Sequence, residues 1–256
     1  MMGREMLTQQ RKAMILSALK RDGQVVAKDF ATSLGLSEDT IRRDLREMAA
    51  DRLLQRVHGG ALPASPAVAD LAVKAAQSPD AKRALGLAAA RMIRPGQLIF
   101  VDGGTTCLAM VQALPRDLRA MVVTHSPVIA AALIDHPAVE VALIGGRLFK
   151  HSGVCVGAQV LDGIRRFQAD LYVMGVTGVH AGVGLTTGDM EEADVKRAFA
   201  NAAAETLVPA TFEKIGAASP HIIGPASLMQ TLLVAGEVGE GVLAPFQTAG
   251  VSILRA

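Results

Sequence analysis

Two features of the sequence predict an α/β protein in two parts. Three helical patterns within residues 8–48 are followed by a hairpin signal around Gly59-Gly60, and together they predict a small N-terminal winged helix-turn-helix domain. From residue 81 onward, short apolar runs alternate with helical stretches, which is typical of a sheet with helices on its faces. The expected architecture is therefore a small winged helix-turn-helix domain followed by a larger α/β domain with a mostly parallel sheet.

Length, composition and charge limit the classes of protein to consider. The chain has 256 residues, 50% of them hydrophobic, so it can bury a sizeable core. Tryptophan is absent and aromatic residues make up only 3%, which argues against a base-stacking surface for single-stranded nucleic acid. Residues 1–62 carry 11 Lys/Arg against 8 Asp/Glu, whereas the remainder carries 15 against 16. The small N-terminal part is thus the basic one, as expected of a module that binds duplex DNA.

The sequence predicts a cytoplasmic protein that needs no metal or cofactor. It starts with charged residues and lacks an apolar signal core, so we expect no secretory signal. The longest stretch without Asp, Glu, Lys or Arg, residues 215–236, is interrupted by prolines and a glycine, so no membrane-spanning helix is predicted. Cys107 and Cys155 supply neither a disulfide framework nor a metal-ligand spacing, and such usage fits a reducing compartment.

The N-terminal elements follow from helical spacing and turn signals. In chain order we expect a helix over Thr8–Arg21, an extended piece at Val25-Val26, a helix over Lys28–Leu34, a third helix after Ser37, and a hairpin within Leu53–Leu62. In the third helix, Ile41, Leu45 and Met48 form one narrow apolar face, and Ser37 stands at the N-cap position. Arg43 lies almost opposite Ile41, so the outer face suits insertion into a major groove. The alternative is a solvated charged face without a DNA function.

The third helix and the hairpin carry a family resemblance. Residues 34–45, LGLSEDTIRRDL, and residues 56–61, RVHGGA, closely resemble the N-terminal domain of DeoR-family transcriptional regulators. The resemblance implies that the groove or the phosphates are contacted by Ser37, Thr40, Arg42, Arg43 and Arg46, and the wing contacts are made by Arg56 and His58. Two alternatives stay open, in which His58 only braces the hairpin and Arg42 pairs with Asp44 or Glu38.

Composition also predicts the domain boundaries. We assign residues 1–62 to the DNA-binding domain, residues 63–80, which are rich in Pro, Ala and Ser, to a linker, and residues 81–256 to an effector-sensing and oligomerisation domain. Members of the family usually carry an arginine within the linker stretch, where this chain has Lys74. Because lysine cannot reproduce the fork of a guanidinium, any bidentate contact of that arginine is not expected here.

The larger domain is expected to alternate strands with helices. The predicted strands are Gln97–Val101, Ala120–Val123, Val139–Ile144, Asp170–Met174, Thr206–Val208, Gln230–Val234 and Val251–Leu254, and the predicted helices are Ala81–Met92, Thr105–Leu114, Pro127–Ile134, Glu191–Ala204 and Glu240–Ala249. Ligands of such sheets bind at the carboxyl ends of the strands. The loops at these ends are therefore the candidate ligand site.

Polar, glycine-rich loops follow three of the predicted strands. The loop Asp102–Thr106 leads into a helix, where bare N–H groups and the helix dipole favour an anion such as phosphate. The loops Thr124–Ser126 and Gly145–Arg147 follow the next two strands. Each loop alone is a weak signal, because tight turns need glycine for backbone reasons. Three loops converging on one edge of a sheet predict a ligand site.

These loops also resemble the sensor domain of the DeoR family, which is related in fold to ribose-5-phosphate isomerase and glucosamine-6-phosphate deaminase. The motifs DGGTT, VTHS, IGGRL, GLTT and EADVKRAF occur in the expected order. The resemblance implies that a phosphate or other anion is held by Gly103, Gly104, Thr105 and Thr106, and that the rest of the pocket is lined by Asp102, Thr124, His125, Gly146, Arg147 and Lys214.

The sequence departs from the family pattern at two places in this pocket. His125 stands where the family usually has Asn, so a titratable ring replaces an amide. The family's D-x-S-K-F-G is here Thr211–Gly216, TFEKIG, in which the lysine is kept and the acidic residue lies two positions later. The alternatives are a histidine that closes a turn through hydrogen bonds, and an ordinary surface lysine at Lys214.

Two functional hypotheses compete. The first is a repressor of a carbohydrate-metabolism operon that acts as a homodimer or homotetramer on double-stranded operator DNA. A small phosphorylated sugar or related metabolite would release it from the operator. Both the sugar phosphate and the release on binding are implied by the family resemblance. The second is an enzyme acting on a sugar phosphate, with Asp102, Glu213 or His125 as acid or base. A winged helix that docks a protein is disfavoured by the outward arginines. We expect the regulator and no catalytic residues, because the larger domain shows no clear carboxylate–histidine constellation.

Overall fold

A computed structural model describes residues 7–65, 71–236 and 238–256. Residues 66–70 of the predicted linker lie outside the described residues. The described chain forms an N-terminal part, in which three helices accompany a three-stranded sheet, and a C-terminal part built on a seven-stranded sheet.

The N-terminal part has the order predicted for a winged helix-turn-helix. Its elements are α1 (Thr8–Asp22), β1 (Val25–Val26), α2 (Ala27–Leu34), α3 (Glu38–Ala50), β2 (Leu54–Val57) and β3 (Gly60–Pro63). Strand β3 lies between β1 and β2 and pairs antiparallel with both. Left-handed glycines end the first two helices, with φ of 73° at Gly23 and 65° at Gly35. The tight turn after Gly35 sets α3 directly after α2, which confirms the predicted arrangement.

The buried side of α3 determines which of its residues face outwards. Ile41, Leu45 and Met48 are buried in one apolar cluster with residues of α1 and α2. Asp44 is also buried, and both of its carboxylate oxygens contact the guanidinium of Arg11, with 2.9 Å between Nη2 and Oδ1. A buried charge is tolerated only when it is paired and hydrogen-bonded, and this pair meets both conditions. The apolar face and the ion pair together hold α3 against α1.

The C-terminal part alternates strands and helices. Its elements are α4 (Leu71–Ala76), α5 (Pro79–Ala90), β4 (Leu98–Val101), α6 (Thr105–Gln112), β5 (Ala120–Thr124), α7 (Pro127–Ala132), β6 (Val139–Leu143), β7 (Arg147–Phe149), β8 (Val154–Val156), α8 (Ala158–Ile164), β9 (Ala169–Val173), β10 (Gly178–His180), β11 (Gly184–Thr187), α9 (Met190–Asn201), β12 (Ala203–Thr211), β13 (His221–Gly224), β14 (Thr231–Ala235), α10 (Glu240–Thr248) and β15 (Ser252–Arg255). In the ranges that the structure describes, none of these helices combines the length and apolarity needed to cross a membrane.

The central sheet has one point at which its strand order reverses. Its order is β15-β14-β12-β9-β4-β5-β6, and every neighbouring pair is parallel. The chain builds outwards from β4 to β6 and then returns to place β9 on the other side of β4. At such a switch point the connections leave in opposite directions, so a crevice opens at the carboxyl ends of the two central strands. The crevice between β4 and β9 is therefore where a ligand site is expected in this fold.

Apolar layers cover both faces of the sheet. Along β4, Phe100 faces one layer while Ile99 and Val101 face the other, because successive side chains of a strand alternate. In the first layer, the rings of Phe100 and Phe199 pack edge to face, with their centroids 4.9 Å apart. Burial on both faces accounts for the continuous apolar runs by which the strands are recognised in the sequence.

The seven strands predicted for the larger domain are confirmed, since together they form the central sheet. The sequence analysis did not identify the short strands β7, β8, β10, β11 and β13, nor the helices α4 and α8. These strands have only three or four residues each, which is too short to show a periodicity. Helix α4 lies within the stretch predicted to be a linker.

Candidate DNA interface and ligand pocket

The outer face of α3 carries three exposed arginines. Arg42, Arg43 and Arg46 are exposed, whereas the opposite face of the helix is buried. Arg42 pairs with Glu38 one turn earlier, with 2.9 Å between Nε and Oε1. This pairing is one of the alternatives that the sequence left open for Arg42. Because an exposed ion pair is worth little in water, Arg42 can still exchange Glu38 for a phosphate.

Two hydroxyl side chains cap the start of α3. Ser37 is the N-cap residue, as predicted, and its Oγ accepts a hydrogen bond of 3.2 Å from the backbone N–H of Thr40. The hydroxyl oxygens of Ser37 and Thr40 lie 2.8 Å apart. The residues predicted to contact DNA here therefore also stabilise the start of α3. A phosphate that they contact would lie at the positive end of the helix dipole.

The hairpin of β2 and β3 forms the predicted wing and exposes Arg56 and His58. Gly59 has a φ of 79°, which suits the hairpin turn. A Cβ atom on Gly60 would lie 1.9 Å from the carbonyl oxygen of Val25, because β1 pairs alongside at this position. The two glycines of the RVHGGA motif are thus required for different reasons. Gly59 adopts the positive φ of the turn, and Gly60 leaves room for the backbone of β1.

A cavity opens at the switch point of the central sheet, between the ends of β4 and β9. It is lined by Lys74, Gly103, Gly104, Thr105, Thr106, Cys107, Ser152, Val154, Gly175, Val176, Thr177, Thr187, Glu192, Lys196, Pro209 and Lys214. These residues come from the loops after β4 and β9, the β7–β8 turn, the start of α9, and the segments around α4 and the end of β12. The mixture of backbone amides, hydroxyls and charged side chains suits a small polar ligand.

The start of α6 gives the cavity a set of backbone donors. Helix α6 begins at Thr105, and Gly104 before it has a φ of 103°, which side chains rarely allow. A Cβ atom on Gly103 would lie 2.2 Å from Cγ1 of Val154, so glycine is required for the loop to pack here. The first N–H groups of a helix have no partner within the helix and lie at its positive end. An anion in the cavity would therefore meet oriented donors at this loop.

Three lysines bring positive charge to the cavity: Lys74, Lys196 and Lys214. Desolvation is the main reason that the pKa of Lys214 is lowered to about 8; the charges of Lys82 and Lys74 also lower it, while that of Glu213 opposes them. Burial also lowers the pKa of Lys82, whose Nζ donates to the carbonyl oxygen of Lys74. Because these cations are crowded, a bound anion would relieve their repulsion and favour the protonated form of Lys214.

A buried carboxylate, that of Asp102, forms the floor beneath the loop. It accepts hydrogen bonds from the N–H of Gly103 (2.8 Å), the N–H of Gly175 (2.9 Å), the hydroxyl of Tyr172 (3.1 Å) and Nε2 of His125 (2.9 Å), and it contacts Nζ of Lys196. Burial alone would raise the pKa of Asp102, but the charge of Lys196 and the hydrogen bond from His125 hold that pKa well below its ordinary value. Burial alone would lower the pKa of Lys196, but the charges of Asp102 and Glu192 outweigh it and raise that pKa. The ends of β4 and β9 and helix α9 are thereby joined under the cavity.

The structure separates the residues that the sequence predicted for this pocket into two groups. Gly103, Gly104, Thr105, Thr106 and Lys214 line the cavity. Asp102, Thr124 and His125 are fully buried behind it, and Arg147 is an exposed side chain paired with Glu191. Gly146 is closely packed, since a Cβ atom there would lie 2.9 Å from Cγ2 of Val160. This placement corrects the expectation that all ten line the pocket, because a strand end can carry a polar side chain that turns into the fold. Direct ligand contacts are now expected only from the first group.

His125 illustrates this correction. Its Nε2 faces Asp102 and its Nδ1 lies 2.7 Å from the carbonyl oxygen of Cys155. The ring is fully buried and packs against Phe199 at 5.2 Å between centroids. This arrangement matches the alternative of a hydrogen-bonded histidine, which links the loop after β5 to β8 and to the floor carboxylate.

The second departure from the family pattern lies beside the cavity. Glu213 accepts a hydrogen bond of 3.2 Å from the hydroxyl of Ser78, so it connects the turn after β12 to the start of α5. Its Oε2 and the hydroxyl oxygen of Thr211 are buried without a hydrogen-bond partner among the residues that the structure describes. Neither Thr211 nor Glu213 lines the cavity, whereas Lys214 does.

Several cavity residues were not among the sequence predictions for this pocket. They are Lys74, Ser152, Thr187, Glu192 and Lys196, together with the loop Gly175–Thr177. The spacing of Glu192 and Lys196 offered a usable signal, since side chains four residues apart lie on one face of a helix. Lys74 falls where the family usually has an arginine. Since it lines the cavity, a cation at that position brings positive charge to the cavity.

Comparison with known proteins identifies the family. Residues 11–66 match the DeoR-like helix-turn-helix domain, and residues 77–235 match the DeoR C terminal sensor domain. The HTH-type transcriptional regulator GlpR of Haloferax volcanii is 30% identical over 252 residues, which cover 97% of this chain and 98% of that protein. The Glycerol-3-phosphate regulon repressor of Escherichia coli K12 is 29% identical over 224 residues, covering 87% and 89%. These relatives are named as regulators, which supports the regulator and not the enzyme.

Solved structures resemble the fold only distantly. The ribose 5-phosphate isomerase of Methanocaldococcus jannaschii has a TM-score of 0.41 at 13% identity and covers 54% of this chain and 55% of its own. The full-length sorbitol operon regulator SorC of Klebsiella pneumoniae has a TM-score of 0.36 at 12% identity and covers 86% and 97%. The family assignment rests instead on the two matched domains, which span both parts of the chain. The chain therefore belongs to the DeoR family of transcriptional regulators, in which a helix-turn-helix domain binds operator DNA and a sensor domain binds a small-molecule effector.

Proposed function

We propose that this chain represses an operon of carbohydrate or polyol metabolism and leaves its operator when a small phosphorylated sugar or polyol binds the cavity. The observation that carries the proposal is the chemistry of the cavity, where the start of α6 meets Lys74, Lys196 and Lys214 at the switch point of the sheet. Backbone donors at a helix start and clustered cations are the combination that recognises a phosphoryl group. The remaining hydroxyls and backbone groups then suit the polyol part.

The names of the relatives supply a first set of test compounds. One relative is the Glycerol-3-phosphate regulon repressor of Escherichia coli, and another is named a putative aga operon transcriptional repressor. Glycerol 3-phosphate is therefore the first test compound, and we add several hexose phosphates to the panel, with glycerol and the free hexoses as neutral counterparts. The proposal requires that the phosphorylated member of each pair binds more tightly.

For the DNA interface we propose the residues predicted from the sequence. Those at the groove or the phosphates are Ser37, Thr40, Arg42, Arg43 and Arg46, and those at the wing are Arg56 and His58. Their exposure supports the proposal, since most of these side chains are open to solvent, whereas Ile41, Leu45 and Met48 on the opposite face of α3 are buried. Because operator DNA is its partner, we place the regulator in the cytoplasm.

We further propose a homodimer or homotetramer held mainly by residues 81–256, with residues 1–62 as the DNA-binding domain and 63–80 as the linker. A single winged domain with a small net charge offers little affinity, and paired modules gain strongly from being linked. Exposed apolar side chains at the β6 edge of the sheet, Val141 and Leu143, together with Leu148 of β7, support a protein contact there. Light scattering at DNA-binding concentrations tests this, and a monomer that binds its operator with full affinity would contradict it.

A double substitution tests the anion site. An operator fragment is first selected from a random-sequence library with the full-length protein, and its release by each compound of the panel is followed by fluorescence anisotropy. Thr105→Ala with Thr106→Ala should weaken the phosphorylated ligand, because two hydroxyls at the start of α6 are lost, while operator affinity without ligand is unchanged. Equal responses to phosphorylated and neutral compounds, or a double variant that responds like the wild type, would contradict the proposal.

A further inference from the structure

Among the described residues, one acidic side chain lines the cavity that the proposed function uses, that of Glu192. It lies in the first turn of α9, is only 5% exposed, and lines the same cavity as Thr105, Thr106 and Lys214. An acidic side chain is unfavourable in a pocket whose only task is to hold an anion. Its presence indicates that the pocket recognises something besides the phosphoryl group.

Glu192 forms an ion pair with Lys196, but it is the more distant of two carboxylate partners of this lysine. Nζ of Lys196 contacts Asp102 directly, whereas its distance to Oε1 of Glu192 is 3.8 Å, beyond a hydrogen bond. Asp102 is therefore the principal partner of this lysine. The ion pair of Lys196 with Glu192 has no hydrogen bond, so it does not use the acceptor positions of the Glu192 carboxylate.

Glu192 also keeps acceptor capacity on the side of the cavity. Its Oε2 accepts a hydrogen bond of 3.1 Å from the hydroxyl of Ser152, which also lines the cavity. A carboxylate has about four acceptor positions. Ser152 donates its only hydroxyl proton to Glu192, so its own oxygen is left to accept. The pair thus presents acceptors to the cavity, and their natural partners are the hydroxyl groups of a ligand.

We propose that Glu192, oriented by Ser152, is the specificity-determining residue of the effector pocket: it accepts hydrogen bonds from a hydroxyl of the ligand and repels a second anionic group. This inference rests on the proposed function and narrows it. The effector is then a polyol or sugar that carries one phosphoryl group and a hydroxyl beside it. Sugar bisphosphates and phosphorylated carboxylic acids are excluded, because their second charge would meet the carboxylate of Glu192 at close range.

Matched ligand pairs test the proposal on the full-length protein by calorimetry. Glycerol 3-phosphate is compared with 3-phosphoglycerate, in which a carboxylate replaces the hydroxymethyl group, and fructose 6-phosphate with fructose 1,6-bisphosphate; inorganic phosphate is titrated separately. In at least one pair the monophosphate should bind about tenfold or more tightly than its doubly anionic counterpart, since a like charge at close range costs at least this much.

The variant Glu192→Gln keeps the size of the side chain and removes its charge. It should bind the doubly anionic compounds more tightly than the wild type does and the monophosphates less tightly, so the ratio between partners falls towards one. Glu191→Gln is the matched control, because Glu191 is the neighbouring residue on α9 but pairs with exposed Arg147. The control should keep the wild-type ratio. Thermal unfolding and operator binding show that both variants are folded.

Each outcome separates this inference from the proposed function. If wild-type protein binds both members of each pair equally, or if Glu192→Gln changes both members by the same factor, the role of Glu192 is refuted while the anion site stands. If no phosphorylated compound and no inorganic phosphate binds, the proposed function itself fails. The wild-type comparison needs no variant, so it decides the matter even if Glu192→Gln does not fold.

Discussion

The arginine face of α3 and the lysine-lined cavity use positive charge in opposite ways. Arg42, Arg43 and Arg46 are exposed to solvent, and the ion pair of Arg42 with Glu38 is exposed as well. In the cavity, Lys196 is buried against Asp102, and burial lowers the pKa of Lys214 to about 8. The exposed arginines are positioned by α3 alone and contribute little to stability. The buried charge of Lys196, in contrast, is needed for the stability of the fold that positions it.

This difference predicts how each region responds to substitution. An exposed arginine can be removed at little cost in stability, so the change is felt only in binding. A buried charge that loses its partner destabilises the protein, so stability and binding change together. The predictions below test this contrast, starting with the largest expected effect.

Removing the charge of Asp102 should have the largest effect. With Asp102→Asn, Lys196 is left buried without its principal partner, and the free energy of unfolding should fall by about 3–5 kcal/mol. Urea unfolding followed by circular dichroism measures this, since the chain has no tryptophan. Asp162→Asn is the matched control, because Asp162 pairs with Arg165 on the surface of α8 and its end. A loss as small as that of the control would show that the buried pair does not support the fold.

Replacing Arg43 by alanine should leave the fold intact and weaken the operator complex. If this residue reads a base, specific binding should lose about 1–3 kcal/mol, and the preference at that base should relax. Anisotropy titrations at one fixed salt concentration measure the loss, and urea unfolding should match the wild type. Arg116→Ala, an exposed arginine of the larger domain, serves as the control. An unchanged operator affinity would remove Arg43 from the interface.

The lowered pKa of Lys214 predicts the smallest effect, a pH dependence of ligand binding. As the pH rises through about 8, Lys214 loses its proton in the free protein, so the affinity for a phosphorylated ligand should fall by about five- to tenfold between pH 7 and 9. Binding near pH 8 should take up protons, which calorimetry detects as a dependence of the measured heat on the buffer. Lys214→Met should bind more weakly at pH 7 and lose this pH dependence.

The same pKa gives a stability change of the opposite sign without ligand. Between about pH 8 and the ordinary value of 10.5, the unfolded chain holds a proton on Lys214 that the folded chain has released. The contribution of this residue to stability therefore rises with pH across that window.

For the ligand-binding prediction, an affinity that does not change from pH 7 to 9 would show that Lys214 does not face the bound anion.

The contrast between the two regions also explains what could be predicted from the sequence. The face of α3 is encoded locally, because helical spacing alone places Ile41 inside and Arg43 outside. The strands of the central sheet are encoded by apolar runs, and the anion loop Gly103–Thr106 by its glycines and the helix that follows. Each of these features depends on residues close together in the chain.

The rest of the pocket depends on contacts between distant residues. Asp102 and Lys196 are 94 positions apart, and only the return of the chain to β9 brings α9 over the end of β4. The same topology turns His125 towards Asp102 and leaves Arg147 on the surface with Glu191. A strand end indicates the edge of the sheet where a side chain lies, but not whether it points into the cavity or into the core.

The central claim is that an anion bound in the cavity and the operator bound by α3 weaken each other. We therefore measure the dissociation constant of a phosphorylated ligand with and without saturating operator, and that of the operator with and without saturating ligand. Both constants should rise by the same factor, about 5- to 150-fold, because coupling between two sites is reciprocal. A ligand that binds equally well to free and operator-bound protein would contradict the account, however tightly it binds.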